Sequence, residues 1–225
     1  MSYQILFEQQ MPLGHLTAVS LPEPATKFPD CGLEPEERDF ALEMHPRRRG
    51  PWIGGRLALK NSLKHLGAPI VPILSTPRGA PELPPGFVGS ISHKKSLAVC
   101  LVSRDTGWTV GVDLEPEIPP REGIESMILT EEENEEVQEH PSDVRWKETL
   151  LRFSLKESIY KAIDPHVRRF VGFQEVRVHP TPEGTALVHW QLKKKEGPFE
   201  IETHWRRQEG YYITSVRIRN HHVPR

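Results

Sequence analysis

Trp108-Thr-Val-Gly-Val-Asp-Leu-Glu115 decides how this chain is read. Trp108, Val110, Val112 and Leu114 alternate with Thr109, Gly111, Asp113 and Glu115, the period of an extended strand with one apolar face. The polar face ends in two carboxylates. Residues at i and i+2 of a strand lie about 7 Å apart, so both side chains can lean over one cation, and they repel each other without a positive charge between them. Solvent is the ordinary partner of such a pair, and the rest of the sequence has to say whether something more specific takes its place.

Working outward, the chain predicts further strands over Ile70 to Leu74, Gly89 to His93 and Leu97 to Val102. The opening 30 residues read as one strand and a proline-rich connection. Glu34-Pro-Glu-Glu places acids at a helix N-terminus, and the stretch from Arg47 to Gly67 keeps a helical period through Trp52, Leu59, Leu63 and Leu66, with Gly67 as the stop. Thr130 and Glu133 form a capping box, so a helix starts there, and its run of acids reads as a solvated face. Residues 146–163 make the second strong helix, with Leu151, Leu155, Ile159, Ala162 and Ile163 as its buried stripe. Beyond Asp164-Pro165 four alternating segments, Gln174 to His179, Ala186 to Leu192, Phe199 to Trp205 and Tyr211 to Arg219, read as a strand meander.

Composition narrows the classes. The chain has 225 residues, 36% of them hydrophobic, and 29 Lys and Arg against 31 Asp and Glu leave a net charge of −2. That is an ordinary globular balance, with no global pull toward nucleic acid or an anionic membrane. No apolar run approaches the roughly 20 residues that cross a bilayer, and the N-terminus lacks a signal-peptide pattern, so a cytoplasmic protein is expected. Cys31 and Cys100 make no disulfide framework; Cys100, inside Leu97-Ala-Val-Cys-Leu-Val, reads as a core residue. Eleven histidines carry no zinc spacing, and His221-His222 sit at the terminus.

On the 146–163 helix, Phe153, Glu157 and Lys161 recur every four residues and share a stripe apart from the apolar one. Asp113 and Glu115 ending a strand, Glu157 on a later helix with Lys161 one turn beyond, and Ser90-Ile-Ser-His93 upstream form a combination. Three carboxylates suit Mg²⁺, a hard cation that binds substrate phosphate oxygens as well, and the lysine can then meet phosphate charge.

Gly111-Val-Asp, a gap of 39 residues, then Phe153-Ser-Leu-Lys-Glu-Ser-Ile-Tyr-Lys-Ala resembles the 4'-phosphopantetheinyl transferases of the surfactin and enterobactin synthetase type. Trp52-Ile-Gly-Gly-Arg56, Arg78-Gly-Ala-Pro81 and Gly89-Ser-Ile-Ser-His93 are similar to the same family, so the resemblance spans about residues 47–163. It implies an α+β fold of two similar halves related by pseudo-twofold symmetry, 1–108 and 109–225, with coenzyme A in the cleft between them. It implies Mg²⁺-dependent transfer of the phosphopantetheine arm of CoA to a serine of an apo acyl, peptidyl or polyketide carrier protein, releasing 3',5'-ADP, by a monomer.

By motif position the resemblance makes Asp113, Glu115 and Glu157 the Mg²⁺ ligands. Glu157 becomes the base for the carrier serine and Lys161 the group facing the departing phosphate. CoA contacts fall to Ser92, His93, Lys156, Lys161 and Arg78, and the cluster Arg47-Arg48-Arg49 with Arg56 suits the 3'-phosphate. The chain departs from the pattern at Ala80, where members often carry lysine, which removes a cation from the adenine side. Two other readings are weaker. A Mg²⁺-dependent nuclease would want a basic groove, and a binder that had lost catalysis would be expected to have lost metal ligands.

Overall fold

The computed structural model describes residues 2–22, 32–119 and 123–220; Cys31 and His221-His222 fall outside them. The chain divides into two compact units, Met1–Val112 and Asp113–Arg225, and the boundary falls inside the strand read first.

Unit 1 is built on an antiparallel sheet of order β1-β2-β4-β3, from Ile5–Met11, Gly14–Ser20, Leu97–Arg104 and Phe87–Lys94. The single opening strand expected from the sequence is a hairpin, because Pro12-Leu13 turn the chain and Met11 pairs with Gly14. Helix α1 (Pro35–Glu43) precedes α2 (Pro46–His65), whose Ala58, Leu59 and Leu63 pack with Val19, Cys100 and Val102 of the sheet. Gly54 and Gly55 set how closely α2 lies. A Cβ at Gly54 would stand 2.2 Å from the Leu21 side chain, and one at Gly55 2.9 Å from that of Ile91. Helix α2 ends where expected, with Gly67 at φ 72°.

The strand expected over Ile70 to Leu74 does not form. Its backbone is claimed by side chains: Ile73 N donates to Glu37 Oε1 at 2.8 Å, and the carbonyls of Ile73 and Leu74 accept from Arg56 at 2.7 and 3.0 Å. Pro72 has no N–H for a ladder.

Strand β5 (Thr109–Pro116) carries the opening motif, with Val110, Val112, Asp113, Leu114 and Glu115 all buried. In unit 2 the long helix α5 (Ser142–Val167) packs on β9 (Tyr211–Asn220) of a sheet of order β5-β9-β8, β8 being Phe199–Gln208. The five residues read as its stripe, Leu151, Leu155, Ile159, Ala162 and Ile163, are at most 3% exposed. Each buried leucine or isoleucine among them contributes about 1.5–3 kcal/mol. The helix continues through Pro165, one turn further than expected, and stops where Arg168 adopts φ 50°. Before it come α3 (Glu125–Ile128) and α4 (Glu131–Gln138), and after it the hairpin of β6 (Val176–Pro180) and β7 (Ala186–Trp190).

The capping box forms as expected: Glu133 N donates to Thr130 Oγ1 and Thr130 N to Glu133 Oε2. The acid run is not wholly solvated, however. Glu133 is fully buried; its Oε2 accepts from Lys156 Nζ at 2.6 Å and its Oε1 from Val178 N at 2.7 Å. No helix among the described residues is long and apolar enough to cross a membrane.

Candidate active site

In unit 2, β5 delivers Asp113 and Glu115, 3% and 6% exposed, from alternate positions of one strand face. A carboxylate buried to that degree needs charge or hydrogen-bond compensation. Asp113 receives both: Lys161 Nζ donates to Oδ1 at 2.8 Å and Ser154 Oγ to Oδ2 at 2.9 Å. Both donors come from α5, seven residues apart, so two helical turns place them on the side that faces β5. Glu157, half-buried, lies on the α5 stripe between Phe153 and Lys161. Phe153 packs against Ile128, Leu129 and Val137 and meets the Phe173 ring at 5.5 Å, so the stripe is anchored at its N-terminal end.

The structure therefore brings Asp113 and Lys161 together, as the sequence asks for a positive partner. Ser154 is a partner that sequence reasoning missed; it sits inside the motif, but its contact is 41 residues away along the chain. Among the described residues no group of three or more His, Cys, Asp or Glu side chains is assembled to hold a metal ion. The donor chemistry nonetheless fits a hard cation. Mg²⁺ takes one or two protein carboxylates and fills its remaining positions with water and substrate phosphate, and Asp113 and Glu115 are oxygen donors on one strand face.

Lys156 does not serve a ligand. It is fully buried and donates to Glu133 Oε2 at 2.6 Å and to the carbonyls of Ile128 and Phe173 at 2.8 Å, which uses all three ammonium protons. Burial pushes its pKa down, and Glu133 opposes the shift. The expected CoA contact at Lys156 is replaced by a structural one.

In unit 1 a cleft of about 450 Å³ opens at the N-terminal end of α2, lined by Phe40, Arg47, Arg48, Trp52, Arg56 and His93 among others. His45 caps α2, its Nδ1 accepting from Arg47 N at 3.3 Å. The first turn of α2 holds no acid but carries exposed Arg47 and Arg48, so side-chain charge and helix dipole both favour an anion there. Arg56 is 3% exposed and rigidly set, with its Nε on Ile73 O, one terminal nitrogen on Leu74 O and Ser75 Oγ, and its guanidinium 4.3 Å from the Trp52 ring centroid. Burial lowers its pKa to about 10, against the pull of Glu37, so it stays charged at neutral pH. Phe40 stacks on Trp52 at 5.2 Å.

Two expected cleft residues lie elsewhere. Arg49 donates to the carbonyls of Ala41, Leu42 and Met44, closing the C-terminal end of α1. Ser92 is buried and not part of the cleft lining, because strand alternation sends Ile91 and His93 to one face of β3 and Ser90 and Ser92 to the other. Arg78 is exposed at the tip of a turn held by Thr76 and Ala80, beside Gly79, which does line the cleft.

Comparisons with known proteins agree on one family. Residues 36–103 match the family model described as the 4'-phosphopantetheinyl transferase N-terminal domain, and residues 109–216 that of the 4'-phosphopantetheinyl transferase superfamily. The 4'-phosphopantetheinyl transferase PptT of Mycobacterium tuberculosis is 32% identical over 182 residues, covering 75% of this chain and 78% of that one. Svp, a 4'-phosphopantetheinyl transferase of Streptomyces mobaraensis, is 28% identical over 198 residues, 83% of this chain and 78% of Svp. Enterobactin synthase component D of Salmonella typhimurium is 31% identical over 174 residues, 76% of this chain and 72% of the relative.

Proposed function

The chain belongs to the 4'-phosphopantetheinyl transferases and is an enzyme of that class, and from this premise we propose that it moves the phosphopantetheine arm of CoA onto a serine of an apo carrier protein. The observation that carries the site assignment is the buried Asp113 carboxylate with Lys161 on one oxygen and Glu157 one turn along the same helix stripe.

In the proposed reaction the carrier serine hydroxyl attacks the CoA phosphorus that bears the pantetheine arm. A new serine O–P bond forms, the P–O bond to 3',5'-ADP breaks, and the serine proton passes to the Glu157 carboxylate. Lys161 turns its ammonium toward the phosphate charge that grows on the leaving group. Asp113, Glu115 and Glu157 would hold a magnesium ion, which supplies charge neutralisation at the pyrophosphate when bound. In unit 1, Arg47, Arg48 and Arg56 with His93 bind the 3'-phosphate and the nucleotide, and Arg78 stands at the adenine side.

The test is direct. The purified chain is incubated with CoA, Mg²⁺ and a panel of apo acyl, peptidyl and polyketide carrier proteins beside a Glu157→Gln variant, and carrier mass is followed. A metal-dependent gain of one phosphopantetheine that is lost in the variant supports the reaction and the assignment. A gain that persists in Glu157→Gln removes Glu157 as the base, and no gain on any carrier with CoA binding intact overturns the transfer reading.

A further inference from the structure

Between α5 and β9 lie three buried hydroxyls that the reaction above does not use. Ser154 and Ser158 are one turn apart on α5, Thr214 faces them from β9, and all three are 0% exposed. Thr214 Oγ1 stands 3.0 Å from Ser154 Oγ, 2.6 Å from Ser158 Oγ and 2.9 Å from the Ser154 carbonyl oxygen. Ser158 Oγ reaches the Thr214 carbonyl at 3.1 Å. The set would be ordinary helix-to-sheet bonding but for its last member, since Ser154 Oγ also donates to Asp113 Oδ2 at 2.9 Å.

Proton counting gives the set a direction. An ionised carboxylate only accepts, and a serine has one proton, so the Ser154 proton is committed to Asp113. The Ser154 oxygen can then only accept, and the one proton of Thr214 serves either that oxygen or the Ser154 carbonyl, so in both cases Thr214 holds Ser154 in place. Backbone bonds on Thr214 and Ser158 fix the oxygens behind Ser154, which leaves its hydroxyl little freedom to turn away. We propose that Ser154, backed by Thr214, is a positioning residue for Asp113: it ties down Oδ2, so that Oδ1, the oxygen now on Lys161, is presented to the cation. This rests on the metal role proposed above for Asp113. Outer partners of this kind govern affinity by fixing a ligand's orientation, and their loss typically weakens metal binding by about 10- to 100-fold.

The experiment measures Mn²⁺ binding to the purified full chain in the presence of CoA, by the loss of the free-ion electron paramagnetic resonance signal, for wild type, Ser154→Ala, Thr214→Val and Ser158→Ala. Urea midpoints are recorded for all four, and wild type is also assayed for carrier modification. The expected result is a Mn²⁺ dissociation constant raised about 10-fold in Ser154→Ala, raised less in Thr214→Val, and unchanged within about twofold in Ser158→Ala. If Ser154→Ala does not fold, the Thr214→Val comparison carries the test. Mn²⁺ affinity in Ser154→Ala equal to wild type, or weakened no more than in Ser158→Ala, overturns the proposal and leaves the hydroxyls as helix-to-sheet bonding only. Wild type that modifies carriers yet binds no Mn²⁺ overturns the metal role and this inference with it. Wild type that binds Mn²⁺ through Ser154 but modifies no carrier supports this inference and sinks the proposed reaction alone.

Discussion

Asp113 and Lys161 form an ion pair between a side chain 4% exposed and one 29% exposed, so their attraction acts at the rim of a buried site rather than in full solvent. Replacing Glu157 with Gln keeps its shape and removes a base, and the transfer rate should fall by about 10²- to 10⁴-fold, measured as carrier mass gained per minute. The paired change Arg47→Ala with Arg48→Ala should raise KM for CoA and barely alter KM for dephospho-CoA, which lacks the 3'-phosphate; an equal effect on both substrates would remove the arginines from that role. The placement of Asp113 and Glu115 on one strand face, and of Glu157 and Lys161 on one helix stripe, was legible because those spacings, i+2 and i+4, are local. Ser154 to Thr214 was not, since 60 residues separate them and only the α5–β9 packing brings them together. Arg49 and Lys156 were misassigned for a related reason. A cation next to a functional cluster looks the same in sequence whether it faces substrate or, as here, a set of backbone carbonyls.

Among the elements, α4 and α5 are joined by a charge pair with no exposure on either side, Lys156 to Glu133. Removing one partner strands the other without solvent, so Lys156→Ala should cost about 3–5 kcal/mol in a urea titration, while Lys156→Met, which fills the space that Ala leaves empty, should cost less. CoA affinity, read by calorimetry on whichever variant stays folded, should be unchanged; a loss of affinity without loss of stability would return Lys156 to the substrate. Thr130→Ala removes the α4 cap and should cost about 0.5–2 kcal/mol in the same titration. The helices were readable because apolar stripes and caps are written within a few residues. The stretch Ile70 to Leu74 was misread because its apolar residues carry strand character, while its hydrogen bonds go to Glu37 and Arg56, distant in sequence.

At the scale of the whole molecule, three histidines among the described residues titrate below the ordinary imidazole value of 6.5: His15 through burial and the nearby His65, His166 through burial, and His204 through burial and the Arg206 charge. His15 also lies in a ring stack with His65 at 4.0 Å. A group whose folded pKa is depressed favours the fold while it stays neutral. That contribution is complete above the unfolded pKa and is lost as pH falls toward and through the folded one. The urea midpoint should therefore fall as pH drops through about 6.5 and below, and His15→Gln should flatten the slope; a midpoint that stays constant there would contradict the assignment. The α+β character was legible from the segments, but the strand order β1-β2-β4-β3 was not, because pairing β2 with β4 is a non-local choice that no short window of sequence carries.

Cys100 lies at the centre of that sheet, 0% exposed, opposite Thr17 on β2 and Ile91 on β3, and burial pushes its thiol up to about 12. Its side chain lies under α2, with Sγ 3.4 Å from Ser62 Oγ, so a reagent reaches it only when the helix lifts from the sheet. In a Cys31→Ser background, the rate of colour release from a disulfide reagent becomes a clock for the opening of unit 1. Because a ligand that binds only the folded form lengthens the wait between openings, 3',5'-ADP, which has no thiol of its own, should slow the clock in proportion to its occupancy. This buried sulfur is then a gauge of nucleotide affinity that needs neither a carrier protein nor turnover.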